Sequence, residues 1–332
     1  MNIAFAGFRH GHIFVLYDKA LNEENVHIVG SYEEDLVERE AIEKSKGITI
    51  SYDSYEALLN DEQVEAVAIG DYYAKRGKMI IEALKNGKHV ICDKPICTNL
   101  MELAEIEKLS TEKKLQVCCM LDLRYMAQAE QVKKMIDDGE LGEIHIASFT
   151  GQHCLDYGNR PMWYFEKGKH GGTINDIAIH GMDLVRYLTG KNLTKVNCAK
   201  VWNAFAEKEP DFKDCGQFMV EMDGMSLMAD VSYAAPKCSA PLHTYWNFYL
   251  WGTKGMLNFK ATDNRIYMYR DKEVIMECEH GGMNYLQDFM REINGEKTRM
   301  NSKDILESQR QTLTIQRCAD EVKDSKYWGI KD

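Results

Sequence analysis

Short apolar runs alternate with amphipathic stretches through the first third of the chain. Residues 2–6, 26–29, 48–50, 64–69, 90–92 and 115–120 are brief and largely apolar, the pattern of strands buried on both faces of a parallel sheet. Between them, residues 13–21, 54–59, 74–85 and 99–112 predict helices, with Ser54 placed as an N-cap. Strand and helix alternate, so this part predicts a doubly wound sheet of five or six parallel strands.

The pattern then changes. After a helix over 126–138, closed by Gly139, residues 144–149, 196–202, 216–221, 226–233, 244–251, 256–259, 266–269 and 273–276 are strand-like. Turns such as Asp223-Gly224 and Thr253-Lys254-Gly255 join neighbours, and few helices intervene, so the sheet is mainly antiparallel. The expected fold class is α/β plus α+β: a dinucleotide-binding domain over 1–121, then a substrate-binding and oligomerisation domain over 122–332. The second would carry a large open sheet with helices on one face. One helix interrupts its strands, over 171–184. It sets Asp176, His180 and Asp183 at i, i+4 and i+7, a single stripe. Burying three ionisable groups unpaired is costly, so the stripe demands a reason.

Composition narrows the function. With 332 residues, 45% hydrophobic and 28% charged, the chain predicts a soluble two-domain protein. A net charge of -11 argues against nucleic acid and anionic membrane. The 10 cysteines form no CxxC and read as reduced thiols of a cytoplasmic protein. Residues 2–6 read as a strand, not a signal peptide, and no apolar run approaches the ~20 residues of a membrane span.

Candidate chemistry gathers at three places. Lys94 ends the run HVICDKP, where open α/β sheets bind ligands. The turn from Gly7 to His12 joins a strand to a helix, the arrangement of a phosphate site. A GxGxxG fingerprint would need glycine at 7, 9 and 12, but those positions hold Gly7, Arg9 and His12. Arg9 either supplies a charged phosphate contact or blocks close approach, and a plain turn remains open. Glu33, after the second strand, suits the two hydroxyls of an adenosine ribose; it equally suits the start of the next helix. Like charges at 4 Å cost about 1 to 4 kcal/mol, so Glu33 favours NAD over NADP. The Asp176–His180 stripe admits three readings. It is a paired core cluster, a metal site completed by His153 or Cys154, or an acid–base centre in which His180 exchanges a proton.

Lys94 in CDKP and the helix GGTINDIAIHGMD together resemble the Gfo/Idh/MocA family of NAD(P)-dependent sugar and polyol oxidoreductases. The resemblance spans nearly the whole chain, including VEAVAIGDYY at 64–73, EALKNGKHVICDKP at 82–95, the strand ending near Arg124 and DLVRYLTG at 183–190. It implies catalytic roles for Lys94, Asp176 and His180, with Asp176 orienting the substrate or the histidine. It implies a cofactor cleft of Gly7, Phe8, Arg9, His10, His12, Glu33, Asp71, Tyr72, Arg76, Asp93 and Lys94. The family's Glu-Lys-Pro reads Asp93-Lys94-Pro95, and its Thr-Pro-Asn with a later His reads Asp71-Tyr72-Tyr73 with Arg76. Arg124, His153, Tyr157, Arg160 and Trp163 are candidates for the substrate pocket; Trp163 serves equally as core packing. The implied activity is NAD-dependent oxidation of a secondary alcohol on a sugar, cyclitol or polyol, or its reverse, with no metal. A redox-neutral glycosidase or lyase using held NAD, and a non-catalytic NAD-responsive binding protein, are the alternatives. The expected assembly is a homodimer or homotetramer through the C-terminal sheet.

Overall fold

Five short apolar strands build the first sheet in a computed structural model that describes residues 1–238, 242–279 and 281–322. In chain order come β1 (Asn2–Ala6), α1 (His12–Leu21), β2 (His27–Tyr32), α2 (Leu36–Lys46), α3 (Tyr55–Asn60) and β3 (Ala66–Ile69). Then follow α4 (Tyr73–Lys85), β4 (His89–Cys92), α5 (Leu100–Lys113) and β5 (Val117–Cys119). All five strands are parallel, in the order β2-β1-β3-β4-β5. Helices start where side chains cap them: Asp35 for α2, Ser54 for α3 and Asn99 for α5. The expected strand at 48–50 does not form. Ile48 and Ile50 are buried, but the backbone beside β2 gives only the Ser51 and Tyr52 N–H groups, both to the Ser31 carbonyl. That is too little for a ladder. Chain order reverses between β1 and β3, and a crevice opens there beyond the carboxyl ends of the strands.

A short 3-10 turn (Asp122–Tyr125) and α6 (Ala127–Asp137) lead into the second sheet. Its elements are β6 (Ile144–Cys154), a π turn (Ile174–Ala178), α7 (Ile179–Thr189), β7 (Leu193–Trp202), β8 (Cys215–Met222) and β9 (Met225–Ala235). β10 (Asn247–Gly252), β11 (Gly255–Lys260), β12 (Arg265–Tyr269) and β13 (Glu273–Glu277) complete it. The order is β13-β12-β11-β10-β6-β9-β8-β7, antiparallel except where β6 meets β9. One face packs under helices: Phe149 lies against Gly181 of α7, where any Cβ would collide with its ring. The opposite face stays open, with Ile146, Met219, Met228 and Ile275 exposed.

Two further helices were not foreseen: α8 (Tyr285–Ile293) and α9 (Ser302–Glu321). Leu286, Phe289, Ile305, Leu306 and Leu313 from these helices join the core around the first sheet. Ile315 and Ala319 of α9 join the core of the second. α9 therefore clamps the two layers together. Its buried face includes Ser308, Gln309, Gln311, Thr312 and Gln316, so it lacks the apolar stripe by which such a helix is recognised.

Candidate active site

β4 delivers Lys94 to the crevice. Its Nζ donates to Asp176 Oδ1 at 2.6 Å and to the Asp176 carbonyl at 3.1 Å, and both residues are buried. α9 holds the two partners in register. Gln309 Oε1 accepts from the Ile96 N–H at 2.9 Å, and its Nε2 donates to Asn175 Oδ1 at 2.6 Å. Asn175 in turn donates from Nδ2 to the Cys97 carbonyl at 3.0 Å and from its backbone to Gln316 Oε1 at 3.1 Å. Gly172 makes the approach possible. Its φ is +100°, and a Cβ there would lie 2.2 Å from the Gln316 amide carbon.

The second oxygen of Asp176 accepts from the Tyr233 hydroxyl. His170 Nε2 lies 3.4 Å from that oxygen and 3.0 Å from the Tyr233 hydroxyl. The Gly172 N–H donates to His170 Nδ1, so neutral His170 carries its proton on Nε2, facing the carboxylate. Burial pushes the Asp176 carboxyl up, but the Lys94 ammonium and His170 outweigh it and hold the group well below the usual carboxylate range. Asp176 is thus an anion and Lys94 its counter-ion.

The expected single stripe does not survive. The π turn precedes the α-helical start of α7 and re-spaces the side chains. Asp183 pairs with Arg124 at 2.5 and 2.6 Å, and His180 makes no bond to Asp176. Among the described residues the groups meeting Asp176 are Lys94, Tyr233 and His170. Burial, then the Lys94 charge, drives the His180 pKa well below the usual histidine range. It is therefore neutral at physiological pH, as a proton acceptor must be.

The cofactor cleft is ordered by the departures from the glycine fingerprint. Gly7 has φ +76°, and a Cβ there would sit 2.7 Å from the Asp71 Cβ. Asp71 accepts from the Tyr72 N–H at 2.7 Å and from Lys75 at 2.9 Å. Asp93 is fully buried between His10 Nδ1 and Arg76, whose Nη2 donates at 2.9 Å. Arg76 also binds the carbonyls of Asp71, Asp93, Lys94 and Pro95, so it holds the Lys94 loop rather than facing a ligand. Burial pushes the His10 pKa down to about 4 against the pull of Asp93. Neutral His10 thus donates to Asp93 and accepts from the Tyr73 hydroxyl, which is 2.8 Å from that of Tyr164. The ligating atoms of His10, His12 and Asp93 lie within 4.8 Å of one another, close enough to share a cation. Arg76 already neutralises Asp93 there.

These residues fit NAD. α1 begins at Gly11 without a side-chain cap or an acidic residue in its first turn. A Cβ on Gly11 would enter open space. Uncapped amides at a helix start suit a pyrophosphate. Glu33 is buried and accepts from the Phe8 N–H at 2.7 Å and the Asp35 N–H at 2.9 Å, which leaves two of its roughly four lone-pair positions for ribose hydroxyls. Arg9 pairs with Asp35 at 3.1 Å at the rim.

Of the expected substrate residues, His153 lies beside Lys94; burial and then that charge lower its pKa to about 4. Arg160 rests on the rings of Tyr164 and Tyr233 and donates to the carbonyls of Cys154 and Leu155. Three others have different surroundings from those expected of a substrate pocket. Arg124 is buried and spent on Asp183. Tyr157 is exposed and bonds Glu209 at 2.8 Å. Trp163 takes the core-packing reading, edge-on to Tyr73 and tilted against Tyr164, its Nε1 donating to the Arg9 carbonyl at 3.0 Å. His170, Tyr233, Tyr164 and Asp122, whose Oδ1 lies 3.5 Å from His180 Nδ1, stand at the candidate site and were not singled out in the sequence. Only His170 carried a signal, standing directly before Gly171-Gly172.

Residues 1–121 match the oxidoreductase family, NAD-binding Rossmann fold, and residues 129–258 match the GFO/IDH/MocA C-terminal domain. Scyllo-inositol 2-dehydrogenase (NAD(+)) of Bacillus subtilis is 32% identical over 152 residues, 44% of this chain and 41% of the relative. Myo-inositol 2-dehydrogenase of Thermotoga maritima is 27% identical over 181 residues, 54% of this chain and 51% of the relative. The matches span about half the length of these relatives. A levoglucosan dehydrogenase structure, in complex with NADH and levoglucosan, superposes with a TM-score of 0.81 at 18% identity, covering 97% of each chain.

Proposed function

The chain belongs to the GFO/IDH/MocA family of oxidoreductases, and from there we propose that it moves hydride between NAD(H) and a secondary alcohol or ketone of a sugar, cyclitol or polyol. The observation that carries this reading is the buried Lys94–Asp176 ion pair at the end of β4, with a neutral His180 close enough to feel the lysine charge. Bound NAD supplies the hydride acceptor. His180 takes the hydroxyl proton. Lys94 spends two of its three N–H donors on Asp176 and keeps the third for the reacting oxygen, where it stabilises developing charge. Asp176 keeps Lys94 pointed. Gly11 and the start of α1 would hold the pyrophosphate, and Glu33 the adenosine ribose, which favours NAD over NADP. His153 and Arg160 border the substrate. Inositol dehydrogenases among the relatives support a cyclitol or sugar substrate.

The open face of the second sheet supports a homodimer or homotetramer, since an exposed apolar sheet face gains by pairing. The test of function is a panel of inositols, aldoses and polyols with NAD, read by nicotinamide absorbance. Wild-type protein should reduce NAD with at least one of them, and His180→Gln should lose about a hundredfold or more of that rate. Wild-type turnover in His180→Gln contradicts the reading.

A further inference from the structure

We propose that Asp122 is the residue that positions His180. The inference rests on reading His180 as the proton acceptor and names the carboxylate that acts through it. Asp122 opens the turn after β5, and its Oδ1 stands 3.5 Å from His180 Nδ1. That nitrogen is buried and bonds no other group, in an imidazole only 8% exposed. The Asp122 side chain is 69% exposed and free to swing the short distance that brings 3.5 Å into the roughly 2.6–3.2 Å of a working hydrogen bond. Catalytic contacts commonly close in this way when substrate arrives. Both residues line one cavity of about 570 Å³, shared with His12 and Tyr285.

Among the described residues no other neighbouring carboxylate competes for the task. Asp176 is spent on Lys94, Tyr233 and His170, and Asp183 on Arg124. The charged and titratable groups that bear on the imidazole from other elements are Lys94, His12, His153 and Asp176. His12, Lys94, Lys19, Tyr245 and Tyr285 bear on Asp122. A base held by a third group is a recurring arrangement for proton transfer. With Nδ1–H donating to Asp122, the lone pair sits on Nε2, which bonds none of the described residues. There it takes the proton of the substrate hydroxyl as hydride leaves the carbon for NAD. The imidazolium that forms faces the Asp122 carboxyl group.

The test needs no substrate. Nitrogen-15 NMR of histidine-labelled protein reports the tautomer, with the His180 signals assigned by their loss in His180→Gln. Wild-type His180 should be protonated on Nδ1. Asp122→Ala should lose that tautomer, and Asp122→Glu should restore it. An Nε2-protonated His180 in wild type, or a tautomer indifferent to Asp122→Ala, overturns the proposal. Kinetics give an independent check. Asp122→Ala should lower kcat about tenfold to a hundredfold with the KM for NAD unchanged. In a His180→Gln background the same change should cost nothing more. A full second loss there means that Asp122 acts elsewhere and overturns the assignment. If His180→Gln turns over normally while the tautomer follows Asp122, the base reading fails and the positioning contact stands.

Discussion

At the scale of the residue, the proposed chemistry turns on one pair. Lys94 and Asp176 are both buried, and each is tolerable only because of the other. Removing one partner of a buried pair typically costs about 3–5 kcal/mol. Here His170 and Tyr233 still donate to Asp176, so Lys94→Ala should fall at the lower end, about 3 kcal/mol by urea unfolding. Loss of less than about 1 kcal/mol would mean that the pair is not holding the carboxylate. Histidines give a second residue-scale prediction. His10 and His153 drop from the usual 6.5 to about 4 in the folded protein. Between those values the unfolded chain binds more protons than the native one, so stability is full above about pH 6.5 and falls as pH drops toward 4. Urea midpoints measured across that window should decline steadily with acid; a flat profile would contradict buried neutral histidines. Lys94, Asp176 and His180 were legible in the sequence because rare groups stood at a strand end and inside an apolar helix. Asp122 and Tyr233 were not, because a lone aspartate or a strand-end tyrosine looks the same wherever it points.

At the scale of the element, the parallel strands announced themselves by unbroken apolar runs, and the antiparallel ones by alternation and glycine turns. Other elements were not legible. Residues 48–50 have the composition of a strand, but beside β2 only the Ser51 and Tyr52 N–H groups that follow them reach a backbone carbonyl, that of Ser31. α9 hides because its buried face mixes Ile and Leu with Ser, Thr and Gln, and Gln309 and Gln316 are what fasten Ile96 and Asn175 on either side of the ion pair. The π turn was equally invisible, since an extra residue per turn leaves no mark on composition. Gly172 carries the sharpest element-scale prediction. Gly172→Ala must force a side chain into a φ of +100° and against Gln316, at about 1–3 kcal/mol for the backbone alone. Thermal unfolding should shift down while Gly139→Ala, with open space around its Cβ, shifts less. Equal shifts would mean that the seam between α9 and the π turn is slack.

At the scale of the whole molecule, the two sheets share α9, and the site lies where the first sheet's carboxyl ends meet the π turn of the second. No helix among the described residues is long and apolar enough to cross a membrane. The open sheet face is the surface proposed to meet a second copy. Met228→Lys, in the middle of that face, should reduce the assembly mass seen by light scattering without lowering the unfolding temperature of the subunit. An unchanged mass would move the interface elsewhere. Cofactor choice also belongs to this scale, because Glu33, Arg9 and the start of α1 act together. NADH should bind at least tenfold more tightly than NADPH, and the reverse preference would remove Glu33 from the ribose.

The central claim is that Lys94 serves hydride transfer and not cofactor binding. The direct measurement is a single-turnover experiment on NAD-loaded protein mixed with a cyclitol or sugar that wild type oxidises, comparing wild type with Lys94→Ala and titrating both with NADH. The account predicts NADH affinity within a few-fold of wild type and hydride transfer lowered by a hundredfold or more. Transfer at near wild-type rate in Lys94→Ala would contradict it.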